Sequence, residues 1–317
     1  MIMFLLTGLA AADTLVVKKD GTGDHTSIQA AIDAAGSYDT IMVHSGSYYE
    51  DLTLKSYITI MGESNSNTYV RGSGTGHVIY GNDVTQATID GLAITNSPDD
   101  AAGVYISGGK VTVTNCRIYY NGDGVYYANG ASGVISNNLI YYNGSDTNGY
   151  TEFALICNGS TPLITNNMIR NNYEVGIYVA WSESDGAIIT NNTIIDNGHF
   201  GIWCYQASSK IKNNLCVRNL TGISASHDAK PEISYNNCWD NSAQNYEGQS
   251  GGVSQPGQGG LSEDPLFDPD SGYDYYLLPE SPCIDAGDPD PIYNDIDGTR
   301  NDMGSHGGPS GDKAPLF

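Results

Sequence analysis

Between residues 85 and 245 the apolar residues come in short alternating runs rather than at helical spacing. The stretch "AIITNNTIIDNGHFGIWCY" (187–205) is representative. An alternating run meets two asparagines, a second short run follows, and a polar turn leads into Gly-Ile-Trp-Cys. Asparagine is a poor strand former and a good turn former, so Asn191 and Asn192 mark a turn between two strands. The phrase recurs as "VTVTNCRIYYN", "GVISNNLIYYN", "PLITNNMIRNN", "SKIKNNLCVRN" and "PEISYNNCWDN". Its first asparagines are Asn115, Asn137, Asn166, Asn191, Asn213 and Asn236, at intervals of 22, 29, 25, 22 and 23 residues. "ATIDGLAITN", with Asp90 in the equivalent place, adds a copy 25 residues before Asn115. A near-constant period of this size marks a solenoid.

A further run lies between these phrases: "GVYI" from Gly103, "GVYY" from Gly124, "FALI" from Phe153, "GIYV" from Gly176, "GIWC" from Gly201 and "GISA" from Gly222. Each unit is therefore three short strands joined by turns, one coil of a parallel β-helix. The paired asparagines occupy a tight turn in every coil, where Asn tolerates left-handed backbone. Stacking coils ~4.8 Å apart places their amides one above another, so that each donates to the next. The fold class expected is all-β, a parallel β-helix of about eight or more coils.

The segments flanking the repeat read differently. Thr26 and Gln29 form a capping box, Ile28, Ala31, Ile32 and Ala35 follow helical spacing, and Gly36 ends the run. A short helix there is expected to cap the first coil, so that the solenoid proper spans residues 13–245. From 246 to 317 the chain becomes a Gly-rich link and then an irregular acidic segment, expected to wrap the helix. Residues 261–304 hold 12 Asp and Glu against the single Arg300. Residues 1–12, "MIMFLLTGLAAA", have the apolar run and the Ala10-x-Ala12 ending of a secretory signal, without its basic start. No stretch is long enough to span a bilayer.

Thirteen Lys and Arg face 36 Asp and Glu, a net charge of −23. This excludes a nucleic-acid partner, which needs a basic footprint, and disfavours an anionic membrane. The six cysteines contain no C-x-x-C pair. Cys216 and Cys238 stand at nearly equivalent places on successive coils, and buried thiols, rather than a disulfide, are the reading adopted.

The "TNN.I" and "GIY" phrases resemble those of the pectin-lyase-like right-handed parallel β-helix superfamily over roughly residues 14–245. The resemblance implies the fold; it leaves function open, because that fold hosts lyases, hydrolases, esterases, epimerases and non-enzymes. The helical opening resembles the cap of pectin methylesterase-like β-helices, whose catalytic motifs are absent here. "SPCIDAGDP" and "DIDGTRNDMG" resemble the end segment of exported bacterial β-helix proteins, which implies a secreted or cell-surface location.

In that superfamily the substrate lies on the outer face of the sheet that follows the longest turns, here the "GIY" sheet. With Val104, Val125, Ile177 and Ile202 pointing in, Tyr105, Tyr126, Tyr178 and Trp203 point out, with Tyr205 on the same face, Ala154 interrupting the row and Ser224 ending it. Such rings offer sugars an apolar surface, or form a ladder that only stabilises the sheet. The groove strands lack Lys and Arg, which counts against a pectate-type lyase. Asp123, Glu152, Glu174, Glu183 and Asp185 lie in turns near the face with no pairing evident from spacing. The catalytic candidates, suggested by Tyr/His uronate lyases and epimerases of this fold, are His199, Tyr178, His227 and Asp228. Asp295, Asp297 and Asp302 are candidate Ca²⁺ ligands, although "DIDG" is no EF-hand loop. Asp196 and Arg218 are expected to form a stacked ion pair, and Arg117 and Arg170 to be solvated. The leading functional reading is an exported monomer that binds a polysaccharide or cell-surface glycan on an aromatic groove. Its alternatives are a polysaccharide lyase or uronate epimerase using Tyr and His, and a structural or adhesive rod.

Overall fold

The computed structural model describes residues 12–145, 151–182, 186–248, 255–272 and 275–311. The expected signal segment, apart from Ala12, lies outside the described residues, as do Glu183 and Asp185. The chain winds as a parallel β-solenoid around three sheets. Sheet I has ten strands, from Thr14–Val17 to Glu232–Ser234. Sheet II has nine, from Gly46–Tyr49 to Asn237–Trp239, and sheet III nine, from Leu52–Thr53 to Gln244–Gly248. Coils preceding the first asparagine phrase raise the number above the repeats visible in sequence.

In-phase register stacks like residues on like. Ile118, Ile140, Ile169, Ile194, Cys216 and Cys238 form one inward row along sheet II, and all are fully buried. All six cysteines are free and buried, Cys216 and Cys238 as direct register neighbours.

Each asparagine pair divides two tasks. Asn115, Asn137, Asn166, Asn191 and Asn213 hold the left-handed turn between sheets I and II, with φ from 53° to 59°. The residue after each points inward, and from Asn138 onward those residues build the ladder. Asn138, Asn167, Asn192 and Asn214 each donate Nδ2 to the Oδ1 of the next, ending on Asn236, at 2.9 Å per step. In the last phrase the left-handed residue is Tyr235 (φ 54°) and Asn236 is the ladder residue, one place from the alignment expected. A second ladder closes the turn between sheets II and III. It runs Asn121, Asn143, Asn172, Asn197, Asn219 and Asn241, each preceded by a left-handed residue such as Tyr120, Asp196 or Arg218. These buried amides spend their donors on the ladder and on backbone carbonyls, which removes the penalty of burying them.

The helix Ile28–Ala34 buries Ile28, Ala31 and Ile32 against the first coils. Its N-cap is Ser27 rather than Thr26, and Gln29 does not close the box. Glu50, from a neighbouring coil, accepts from Ile28 N (3.0 Å) and Gln29 N (2.9 Å) instead.

Residues 275–311 lie over the outer face of the later strands of sheet II. Cys283 and Met303 pack with Leu139, Met168, Ile195, Leu215 and Val217 in a second apolar cluster. Asn166 Nδ2 donates to the carbonyls of Ser305 and Gly307, at 3.0 and 2.7 Å, and Lys212 pairs with Asp288 at 2.8 Å. Asp196 and Arg218 form the expected ion pair, with two contacts of 2.8 Å. Arg170 is not solvated: it is 5% exposed, with its guanidinium 4.9 Å from the Tyr141 ring centre, because the flat cation packs on an aromatic face more favourably than it hydrates there. Arg117, two coils earlier, is half-buried.

Candidate carbohydrate-binding groove

The glycine near the start of most sheet III strands is dictated by the stack. A methyl added at Gly176 would meet the Gly201 carbonyl oxygen at 2.6 Å, and one at Gly201 would meet that of Gly222 at the same distance. The next residue, such as Ile177 or Ile202, is buried, and the following one points out. One outward row reads Tyr80, Tyr105, Tyr126, Ile156, Tyr178, Trp203, Ser224 and Glu247. The residue that interrupts the aromatics is Ile156, not Ala154. Ala154 is fully buried in the slot that glycine fills elsewhere. Two residues further along each strand, a second row carries Ala180, Tyr205 and Ser226.

The rings stack on one another more than they lie open. Tyr80 and Tyr105 centres are 5.9 Å apart at 13°, and Tyr105 and Tyr126 are 5.0 Å apart at 58°. Beyond Ile156, Phe153 stacks on Tyr178 at 4.7 Å, and Tyr178 meets Trp203 at 4.8 Å, tilted by 49°. Mutual stacking closes many faces and leaves edges and hydroxyls outward. Trp203 Nε1 is occupied by Ser226 Oγ at 2.9 Å, and Asn158 Nδ2 donates to the Tyr126 hydroxyl at 3.2 Å. Trp181 offers the most open indole: it is 57% exposed and meets Tyr205 edge-on at 5.1 Å. It takes a left-handed backbone (φ 57°) inside the strand Val175–Ser182, which breaks the alternation there, so sequence period did not reveal it.

The four catalytic candidates are not gathered at one point. His199 precedes the strand Phe200–Ala207, with its ring 4.0 Å from that of Phe200. His227 and Asp228 follow the six-residue strand Thr221–Ser226 on the next coil, at the opposite border, ~20 Å across the sheet. The His227 ring is 4.3 Å from Tyr205. An open cleft there is lined by Gln206, Ser208, His227, Asp228 and Lys230, and the buried Gln206 Oε1 has no hydrogen-bond partner. Tyr178 lies on the row between the two borders. Burial pushes its phenol up to about 12, so near neutral pH it holds its proton.

One group, His77, escaped the sequence reading, and another, Asp123, was named there without its pairing. His77 lies flat on Tyr105 at 4.3 Å and accepts from Ala102 N through Nδ1 at 2.9 Å; burial holds its ionisation below the usual range. Asp123 accepts from Phe153 N at 3.0 Å at the groove border. Burial, reinforced by the negative charge of Glu152 on the next coil, raises its carboxyl to about 7. The coil between them is long, so their spacing hid the pairing.

The proposed calcium ligands spend their oxygens on backbone donors. Asp295 accepts from Asp302 N, Asp302 from Asp285 N, and Asp297 from Thr299 N. Among the described residues no group of three or more His, Cys, Asp or Glu gathers where it could hold a metal. No helix among them is long and apolar enough to cross a membrane.

The family model for the right handed beta helix region matches residues 56–183 and 102–257, together well over half the chain. No curated protein matches in sequence. Among solved structures, the A-module of the Azotobacter vinelandii mannuronan C-5 epimerase AlgE6 superposes with a TM-score of 0.56 at 17% identity, over 68% of this chain and 72% of that one. The AlgE4 A-module of the same organism gives 0.50 at 18% identity, over 70% and 75%. An alginate lyase from Paenibacillus sp. str. FPU-7 gives 0.42 at 16%, over 79% and 98%. At these identities the likeness concerns the fold. With three in-phase parallel sheets, two asparagine ladders and a matching family model, the chain belongs to the right-handed β-helix family, with the pectin-lyase-like fold.

Proposed function

We propose that the protein works outside the cell as a monomer and binds a polysaccharide or cell-surface glycan along the outer face of sheet III. The observation that carries this reading is the aromatic row of Tyr80, Tyr105, Tyr126, Tyr178 and Trp203, bordered by Tyr205 and the open indole of Trp181. The open indole supplies a stacking face, while ring edges, hydroxyls and the Asn158 amide supply polar contacts to sugar hydroxyls. The structural neighbours are named as carbohydrate-active proteins, which agrees with this substrate class.

A second reading, a lyase or epimerase acting on uronates, is favoured by Asp123. Proton abstraction next to a carboxyl needs a group that exchanges its proton near the working pH. A carboxyl raised to about 7 meets that requirement. Tyr178, protonated at that pH, stands two coils further along the row, and His199 and His227 line the two borders. The third reading, a structural rod, requires the rings to act only as a ladder.

A panel of polygalacturonate, alginate, glucuronan and neutral glucans, with and without Ca²⁺ for the sake of Asp295, Asp297 and Asp302, separates the three. Gel retardation lost in Trp203→Ala and Trp181→Ala supports the binding groove. Ultraviolet absorbance of an unsaturated uronate, abolished in Asp123→Asn, makes the protein a lyase. Epimerisation is read separately by the change in uronate composition. No response to any polymer leaves the rod.

A further inference from the structure

The early end of the sheet III groove carries a hydrogen-bond donor that the protein itself does not use. His77 leads into the strand Ile79–Asn82 and accepts from Ala102 N on Nδ1 at 2.9 Å. An acceptor at Nδ1 places the proton of the neutral imidazole on Nε2. Among the described residues nothing accepts from that Nε2. The ring lies flat on Tyr105 at 4.3 Å and 14°, and parallel to Tyr80 at 6.1 Å and 8°. Two rings and a backbone bond therefore fix the direction of the Nε2–H. Burial holds the ionisation of His77 below the usual range, against the opposing pull of Asp100, so near neutral pH the donor carries no charge. Tyr80 is the first ring of the row. Its register neighbour on the preceding coil is Thr53, so no ring of the row covers that side, and Tyr80 is 37% exposed.

The charge around this end selects the ligand. No sheet III strand contains a Lys or Arg. The charged groups at the border are carboxyls. Asp100 is exposed and acts on His77, Asp123 stands one coil beyond Ala102 in register, and Asp51 directly precedes the strand Leu52–Thr53. A uronate or sulfated chain laid here would bring its charges against these groups with no cation on the strands to offset them. An uncharged sugar meets no such repulsion. One hydroxyl can accept from the Nε2–H, another can donate to a carboxylate, and the apolar face of the ring can lie on Tyr80. We infer that His77, Tyr80 and Tyr105 form a subsite for an uncharged sugar, with His77 Nε2–H donating to a sugar oxygen, and that the groove takes a neutral glycan in preference to a polyuronate. The inference rests on sheet III being the carbohydrate-binding face and names the class of glycan bound there.

Affinity electrophoresis of the full chain tests this with polygalacturonate and its methyl ester, which share a backbone and differ in charge, and with alginate, a neutral β-glucan and a galactomannan. Native protein is expected to be retained more strongly by an uncharged polymer than by either acidic one. His77→Leu should lose about fivefold in affinity for that polymer. His77→Gln, whose amide can accept from Ala102 N and donate in turn, should lose less. In protein carrying isotope-labelled histidine, the His77 nitrogen resonances should report the proton on Nε2. The Nε2 signal should move when soluble oligosaccharides of the retained polymer are added, whereas a purely structural His77 would leave it in place. Tighter retention by an acidic polymer, lost in Trp203→Ala, would overturn the inference and leave the groove reading standing. Equal binding of an uncharged polymer by native protein and His77→Leu, with the Nε2 signal unmoved, would do the same. No retention by any polymer would overturn both.

Discussion

At the residue scale, the paired asparagines are not interchangeable. Asn192 donates to Ile164 O, Thr190 O and Asn214 Oδ1 and accepts from Asn167, all within the core. Replacing it by Ala strands buried donors and acceptors on two coils, a cost of about 3 kcal/mol. Asn137 holds a left-handed turn (φ 55°), so Asn137→Gly should shift stability by less than about 1 kcal/mol. Denaturant melts of the two variants check this, and equal losses would refute the division of labour. Asp123 makes a pH-dependent prediction. Its folded ionisation at about 7 lies above the ordinary 3.8. Between those values the folded chain therefore holds a proton that the unfolded chain has released, and this site's contribution to stability falls as pH rises. Asp123→Asn should consequently gain in melting temperature relative to native on going from pH ~4.5 to ~8. Parallel melting curves across that range would contradict the burial of this carboxyl.

The turn asparagines were legible because they repeat. The pairing of Asp123 with Glu152, and the places of His77 and Trp181, were not. Asp123 and Glu152 are 29 residues apart across a long coil, so only the register Asp123 opposite Phe153, implied by Val125 opposite Leu155, brings them together. His77 lies before the first asparagine phrase, and Trp181 stands where a left-handed residue interrupts the strand alternation.

At the element scale, strand period alone located the outward rows, because a parallel coil repeats its register. The same logic missed the slot of Ala154, since an alanine replaces the marking glycine there. It also missed the second ladder, although an asparagine follows six residues after the first of nearly every pair. The Asp196–Arg218 pair tests how much such surface contacts matter. Both side chains remain partly exposed, and Arg218→Gln should cost less than about 1 kcal/mol despite its two short contacts. A larger loss in a thermal melt would show that its packing near Tyr275, at 5.9 Å, outweighs the charge.

At the scale of the whole molecule, the acidic end segment had no period to read, and its seat on sheet II emerged only from the structure. Met303 is 1% exposed against Leu215 and its neighbours. Met303→Ala should destabilise by about 3 kcal/mol, read in a denaturant melt, with the wrap loosening before the coils. The charge distribution follows the same division: a groove with no Lys or Arg on sheet III, Arg71, Arg117 and Arg170 on sheet II, and an acidic segment over its later coils. The central claim is that sheet III is the carbohydrate-binding face. It is tested most directly by the affinity of native protein and Trp203→Ala for the best-retained polymer of the panel, neutral or acidic. The account predicts measurable native binding, weakened about tenfold by the variant, equivalent to ~1.4 kcal/mol of lost ring contact. Native protein that binds no polymer, or a variant that binds as well as native, would contradict it.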